Sequence, residues 1–387
     1  MRKFVKGFAV AATATAAVLA QGGTATAATT WTANPACSTV VGPGGITYTN
    51  NDGATLTATN KTTTPITYTH GLAALDTANT LVAVQEVTDT VTYNTTRRVY
   101  RSTNAGCNWT QIGSLNSGWV IKATAAKGGR AYLWSDSGES GIFRLTGTTI
   151  VKVTDPTPSG ITGLNVDPAN GLHLVIGDYN GQLHESADGG VTWTAKGTTP
   201  GSGLWAYDVA IDPANLNHAI VGTMSNGAFV TFNGGQTWTA ATGLDLTPAG
   251  PLGVNAFSAA VSPVDSNVVY VQGLDTDQSD AGHPSQGRHV YRSTDGGLTF
   301  TAVIDQNADV TLVNGPSLYP SPVNAAELYF EFGSNFQGWG TDLYKYSAAT
   351  GQVTKQHNNE HEITAIAFNP AFPSTLYLGL AKEPSHG

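Results

Sequence analysis

The chain has 387 residues, with 18 Lys and Arg against 27 Asp and Glu, a formal net charge of −9. An acidic chain with few cations argues against nucleic acid or an anionic membrane as its partner. The length admits two or three domains, although all-β rings of this size also fold as one unit.

Residues 1–27 read as a leader. Arg2, Lys3 and Lys6 form a basic start, AVAATATAAVLA is a short apolar stretch, and Ala25-Thr26-Ala27 is a small-residue cleavage site, the layout of a secretory signal peptide. The apolar stretch is too short to span a bilayer, which takes about 20 residues. The expectation is a secreted, extracellular chain over residues 28–387, folded as one domain. Without the leader's three cations, 15 Lys and Arg face the 27 acids. Cys37 and Cys107 are the only cysteines, and in an exported chain they are expected to pair.

Two marks then recur. An eight-residue turn reads STNAGCNW from Ser102, SADGGVTW from Ser186, TFNGGQTW from Thr231 and STDGGLTF from Ser293. Its skeleton is a hydroxyl residue, Asp or Asn two places on, small residues, then an aromatic. The four sets are Ser102, Asn104 and Trp109; Ser186, Asp188 and Trp193; Thr231, Asn233 and Trp238; and Ser293, Asp295 and Phe300. A proline mark reads VDPAN (166–170), IDPAN (211–215), VSPVD (261–265), PSPVN (320–324) and FNPAF (368–372), each between apolar stretches. Proline cannot donate to a sheet ladder, so it marks a break between strands.

The unit is therefore strand, proline turn, strand, variable loop, strand, octet turn, strand. That spacing predicts four-stranded antiparallel blades. Residues 64–115, 118–155, 160–199, 203–243, 253–304 and 310–356 each supply one. The C-terminal HEITAIAFNP and TLYLGL supply two strands of a seventh, and residues 46–60 supply its other two. Sharing that blade closes the ring and removes two sheet edges. The predicted fold is an all-β, seven-bladed β-propeller. Sustained helical periodicity is missing, so helices should be few.

In each octet the hydroxyl and the Asp or Asn can accept hydrogen bonds from turn amides. The glycines supply positive φ, and the aromatic buries a ring. The octets resemble the Asp-box, or BNR repeat, of bacterial sialidases, related glycosidases and sortilin-like propellers. In that family the boxes lie on the outer side of the ring, away from the ligand, so the resemblance implies a fold and not an activity.

A sialidase also needs clustered arginines at the starts of innermost strands. Arg97, Arg98, Arg101, Arg130, Arg144, Arg288 and Arg292 do not fall there. Other glycosidases need two carboxylates, and Asp208 and Glu362 are the inner candidates, each read more simply as a polar channel residue. No catalytic residue and no cofactor are expected. The alternative reading is a carbohydrate-binding or glycoside-hydrolysing propeller, with an assembly module as a third.

Loops on the channel face are the place for binding. Three are long in sequence: 87–98, 273–288 and 333–340. The last two offer Asp275, Asp277, Asp280, His283, Phe336 and Trp339 as a protein-binding face, with Trp119, Trp205 and Tyr207 beside the channel. Asp275, Asp277 and Asp280 are also calcium candidates, though they lack the glycine and final Glu of a calcium-binding helix–loop–helix. Gln278, Gln286 and Gln337 in the same loops are candidates for a cross-linking transglutaminase.

The Ala- and Thr-rich leader, single propeller, one disulfide and missing catalytic set resemble a family of exported actinobacterial proteins that induce autolysis of a bacterial metalloprotease. That resemblance implies a non-enzymatic protein that docks on an extracellular metalloprotease and promotes its inactivation, linked to the transglutaminase system. The chain is expected to act as a monomer.

Overall fold

The computed structural model describes residues 30–64, 66–135, 141–157, 160–245, 253–312, 317–334, 340–358 and 361–382. The expected leader and the candidates Phe336, Gln337 and Trp339 lie outside the described residues.

Strand β1 (Ile46–Thr49) is separated in sequence from its own sheet. The first full blade is β2 (Thr67–Ala74), β3 (Leu81–Thr88), β4 (Thr95–Ser102) and β5 (Thr110–Leu115). The second is β6 (Ile121–Ala126), β7 (Arg130–Ser135), β8 (Ile142–Thr146) and β9 (Thr149–Val153). The third is β10 (Ile161–Val166), β11 (Leu174–Asp178), β12 (Leu183–Ser186) and β13 (Thr194–Lys196). The fourth is β14 (Ala206–Ile211), β15 (Ala219–Thr223), β16 (Ala228–Thr231) and β17 (Thr239–Ala240). The fifth is β18 (Val254–Ser262), β19 (Asp265–Asp275), β20 (Arg288–Ser293) and β21 (Thr301–Asp305), with the short helix α1 (Thr276–Asp280) after β19. The sixth is β22 (Leu318–Pro320), β23 (Glu327–Ser334), β24 (Gly340–Ser347) and β25 (Gln352–Asn358). Finally β26 (Glu362–Phe368) and β27 (Leu376–Ala381) join β1 in the order β1-β27-β26. The fold is a seven-bladed β-propeller whose two chain ends share a blade.

The second strand of a blade is covered on both faces by neighbouring blades. Its sequence is therefore continuously apolar or small: LVIGD in β11, AIVGT in β15 and LYLGLA in β27 are buried at every position. Single apolar clusters cross the seams, as where Val82 of β3 and Leu133 of β7 belong to one buried cluster. Glycine marks close approaches between blades. A Cβ at Gly379 would stand 2.2 Å from the Thr69 carbonyl oxygen of the next blade.

Two details depart from the expected pattern. The closing blade has three regular strands rather than four. β1 pairs with β27 from Ile46↔Gly379 to Thr49↔Leu376, but its outer neighbour keeps one backbone bond, Thr57 N to the Tyr48 oxygen at 2.9 Å. The cause is a competing partner. Ala58 and Asn60 bond to Val40 at 2.8 and 2.9 Å, and Val40 belongs to an N-terminal strap anchored by the Cys37–Cys107 disulfide. Secondly, the supposed loop 87–98 is mostly ladder, since β3 and β4 pair out to Thr88↔Thr95.

Candidate functional site

The octets are corners, and each closes on itself. In the second, Ser186 Oγ donates to Asp188 Oδ1 at 2.9 Å and accepts from Gly190 N at 2.8 Å, while Asp188 Oδ1 accepts from Thr192 N at 2.9 Å. Ser102, Thr231 and Ser293 repeat this pattern. Hydrogen bonds from Thr192 hold the Asp188 carboxyl down at about 2. These acids point into their own turns, away from any shared cleft.

A fifth octet escaped the sequence reading. Thr49 Oγ1 donates to Asn51 Oδ1 at 2.8 Å and accepts from Gly53 N at 3.0 Å, and Asn51 Oδ1 accepts from Thr55 N at 3.0 Å. The fourth residue of an octet also donates its amide to a carbonyl just before, or in the first residues of, its blade's second strand. Gly189 to Leu172, Gly234 to Asn217, Gly296 to Asn267 and Asp52 to Ser374 all do so. The signal was present as TNNDGATL, with Leu56 in the aromatic place.

Side chains of the preceding blade clasp these corners. Arg144 of β8 donates to the carbonyls of Asp188 and Gly189 at 3.1 and 3.0 Å. His218 bonds Asp212 Oδ2 through Nδ1 and the Gly296 carbonyl through Nε2, both at 2.9 Å. The corner side of the ring is thereby a stitched seam. Open chemistry is left to the opposite face.

On that loop face, Asp275, Asp277, Asp280 and His283 are the protein-binding candidates that fall among the described residues. Asp275 is buried and caps α1, its Oδ1 accepting from Gln278 N at 3.0 Å. With Asp275 turned into the helix, the three carboxylates do not come together, and no metal-holding group of three acidic, His or Cys side chains occurs among the described residues. Gln278, expected to be accessible to transglutaminase, is 6% exposed; the cap turns it inward, where its Oε1 meets His289 Nε2 at 3.0 Å. Gln286 is exposed, and its Oε1 accepts from Gln306 Nε2 at 3.0 Å. His283 is exposed and bonds Ser285 Oγ through Nδ1 at 2.8 Å.

Ser285, His289 and Asp305 have the outline of a nucleophile triad, with Ser285 Oγ 3.4 Å from Nε2 and Asp305 Oδ1 2.7 Å from Nδ1. Ser285 is 2% exposed and Gly287 N donates to its oxygen at 3.2 Å. In this arrangement the hydroxyl ties the loop together.

Asp208 and Glu362 lie on the innermost strands of the fourth and closing blades, and Asp208 Oδ2 accepts from Ala259 N of the fifth at 2.8 Å. The acid that feels Glu362 is Glu331 of β23, which sequence reasoning missed. Burial holds the Glu331 carboxyl well above the usual range and Glu362 adds to this, against the pull of the Ser317 backbone and Lys122. Its Oε2 is buried without a hydrogen-bond partner. On the first blade, beyond the closing one, burial and Lys122 lower His70 to about 4, so its ring is neutral at pH 7.

The other half of the mouth is aromatic. The rings of Tyr179 and Trp205 lie 5.5 Å apart, and those of Tyr207 and Phe257 5.0 Å apart. Trp205 is 54% and Met224 44% exposed. Backbone bonds join these residues into one rim: Ala206 N to the Tyr179 oxygen at 2.8 Å, Met224 N to the Trp205 oxygen at 2.9 Å, and Gly253 N to the Ser225 oxygen at 3.1 Å. Thr276 of α1 continues it, donating to the Gly253 carbonyl at 3.2 Å.

No family model matches the chain. Over 384 residues it is 48% identical to the dispase autolysis-inducing protein of Streptomyces mobaraensis, covering 98% of this chain and 99% of the relative. The chain belongs to that protein's family. Coverage this complete means that the whole ring, rather than one module, is shared with the dispase autolysis-inducing protein. Solved structures match in fold alone. A xyloglucanase from Xanthomonas campestris is 15% identical at a TM-score of 0.55; the match covers 85% of this chain and 55% of the enzyme chain. A chain of the COPII outer coat is 11% identical at 0.56, over 80% of this chain and 83% of its own. Among the described residues no helix is long and apolar enough to cross a membrane.

Proposed function

We propose that this chain is a secreted, non-enzymatic protein-binding propeller that docks on an extracellular metalloprotease and promotes its loss by autolysis. The observation that carries the reading is the 48% identity, over essentially the whole chain, to a protein named for inducing dispase autolysis. The physical setting supports it. The octet acids are consumed by their own turns, the Ser285 hydroxyl is sealed, and the exposed aromatics sit on a rigid ring. Among the described glutamines of the loop face, Gln286 is the one suited to cross-linking by a transglutaminase.

The test is to incubate the chain with a thermolysin-like metalloprotease and follow protease activity and fragments over time. Protease loss that accelerates with the amount of chain added, accompanied by protease self-cleavage products, is expected. Protease activity indifferent to the chain would overturn the proposal.

A further inference from the structure

The acids and cations are unevenly placed around the ring. Residues 153–287, which hold the third and fourth blades and half of the fifth, carry twelve Asp and Glu against Lys196 alone. Residues 30–152, holding the first two blades, carry nine Lys and Arg against six acids. The acidic sector is also where the aromatic rim lies. Trp205 and Met224 stand exposed at its centre, Tyr179 packs beside Trp205, and the Tyr207–Phe257 pair borders the channel. At its outer end α1 carries Asp277 and the exposed Asp280.

An exposed apolar patch on a rigid frame marks an interaction site, and an aromatic centre within a charged rim is the anatomy of a protein interface. Of the twelve acids, Asp167, Glu185, Asp188 and Asp212 lie on the corner side and Asp178 and Asp275 are buried, while Asp277 and Asp280 stand at the rim. The sector's one Lys or Arg, Lys196, is bound to Glu185. Charge complementarity then names the occupant, because these rim acids favour a basic partner and repel an acidic one.

We propose that the rim centred on Trp205 and Met224 is the docking surface for the metalloprotease, and that it receives a basic face of that protease with an apolar side chain at its centre. This rests on the function proposed above. It moves the contact from the loops of the fifth and sixth blades to the inner rim of the third to fifth. Trp205 and Met224 anchor the complex and slow dissociation, while Asp277 and Asp280 hasten encounter.

The test is surface plasmon resonance of the full chain against a thermolysin-like protease at about 50 and about 500 mM salt, where screening lengths differ severalfold. Binding by the unaltered chain should associate about tenfold or more slowly at the higher salt. Trp205→Ala should weaken affinity at least about tenfold, chiefly through faster dissociation. Asp280→Lys should slow association and flatten its salt dependence. The paired control Val91→Ala with Tyr93→Ala, on an exposed hairpin of the first blade, should leave binding unchanged. Thermal melts confirm that each variant folds. Binding that ignores salt and survives Trp205→Ala overturns this surface and leaves the proposed function standing. So does loss of binding in the first-blade control alone. Glycan binding abolished by Trp205→Ala, with protease binding intact, gives the rim to a carbohydrate and likewise overturns the surface. If the unaltered chain fails to bind protease at either salt, the proposed function itself falls.

Discussion

The carboxylate of Asp52 lies 3.2 Å from the ammonium of Lys345, although 293 positions separate them in sequence. The second Asp52 oxygen accepts from the Tyr329 hydroxyl at 2.9 Å, and Lys345 also reaches Glu327 at 3.3 Å. Burial opposes the charge of Lys345, but Tyr329 and Asp52 outweigh it and hold the ammonium above the ordinary lysine range. The contact crosses the seam between the sixth blade and the one that closes the ring. Lys345→Met should lower stability by about 1 kcal/mol, the upper end for a partly exposed pair. The reading is the midpoint of denaturant unfolding, and an unmoved midpoint would mean that packing alone holds this seam.

The fifth octet makes its own prediction. Thr49 and Ser186 are buried, and each hydroxyl takes a glycine amide at about hydrogen-bond optimum. Thr49→Val and Ser186→Ala each leave that amide without an acceptor, which costs about 1–3 kcal/mol. The two losses should be alike despite the missing aromatic in the Thr49 octet, and Thr49→Ser should restore most of the loss. Calorimetric melting of the three variants decides it. A silent Thr49→Val would show that the bonding pattern there carries no stability.

These cases mark what the sequence made legible. Proline and octet marks have a period, and a period is readable, so six blades and the sharing of the seventh could be assigned from letters alone. Partner competition has none. Nothing in residues 56–60 announces that Val40 will draw them off the edge of β1. The octet at Thr49 is masked in the sequence because Leu56 stands where the other four carry an aromatic. Exposure is worse still. Gln278 looks like a loop residue until Asp275 caps a single helical turn and rolls it inward. Tyr179, Met224 and Phe257 lie in three different blades, so only ring closure makes one rim of them. Glu331 sits in ELYFEFGS, where alternation does not say that its outer oxygen is sealed.

On the corner side, His173 bonds Asp167 through Nδ1 at 3.0 Å and Glu185 through Nε2 at 2.9 Å. Burial lowers its affinity for a proton, yet the bonds to Glu185 and Asp167 prevail and hold it above its ordinary 6.5. A raised folded value means that its contribution is full below the unfolded value and is lost as pH rises through the folded one. Asp167 and Glu185, held below their ordinary values, act in the opposite sense and lose their contribution as pH falls. His173→Gln should therefore cost most near pH 6, at most about 1 kcal/mol for so exposed a cluster. Its melting temperature should converge on that of the unaltered chain in alkaline buffer. A gap that stays constant across this range would show that the imidazole acts through shape and not charge.

Glu331 gives the reverse of the usual carboxylate behaviour. Its folded value lies well above the unfolded one, first because burial disfavours the anion and then because Glu362 stands nearby. Between those two values the folded chain holds a proton that the unfolded chain has released, so stability falls as pH rises through the window. Glu331→Gln keeps the shape of the neutral acid and removes the titration. Near pH 4.5 the variant should melt close to the unaltered chain, and by pH 8 it should melt higher, the difference growing steadily between. The comparison isolates the mouth of the channel, because the octet acids, His173 and the Lys345 seam are identical in both proteins. A difference in melting temperature that does not change with pH would place a charged Glu331 in the folded state and would require a hydrogen-bond donor at the oxygen that now has none.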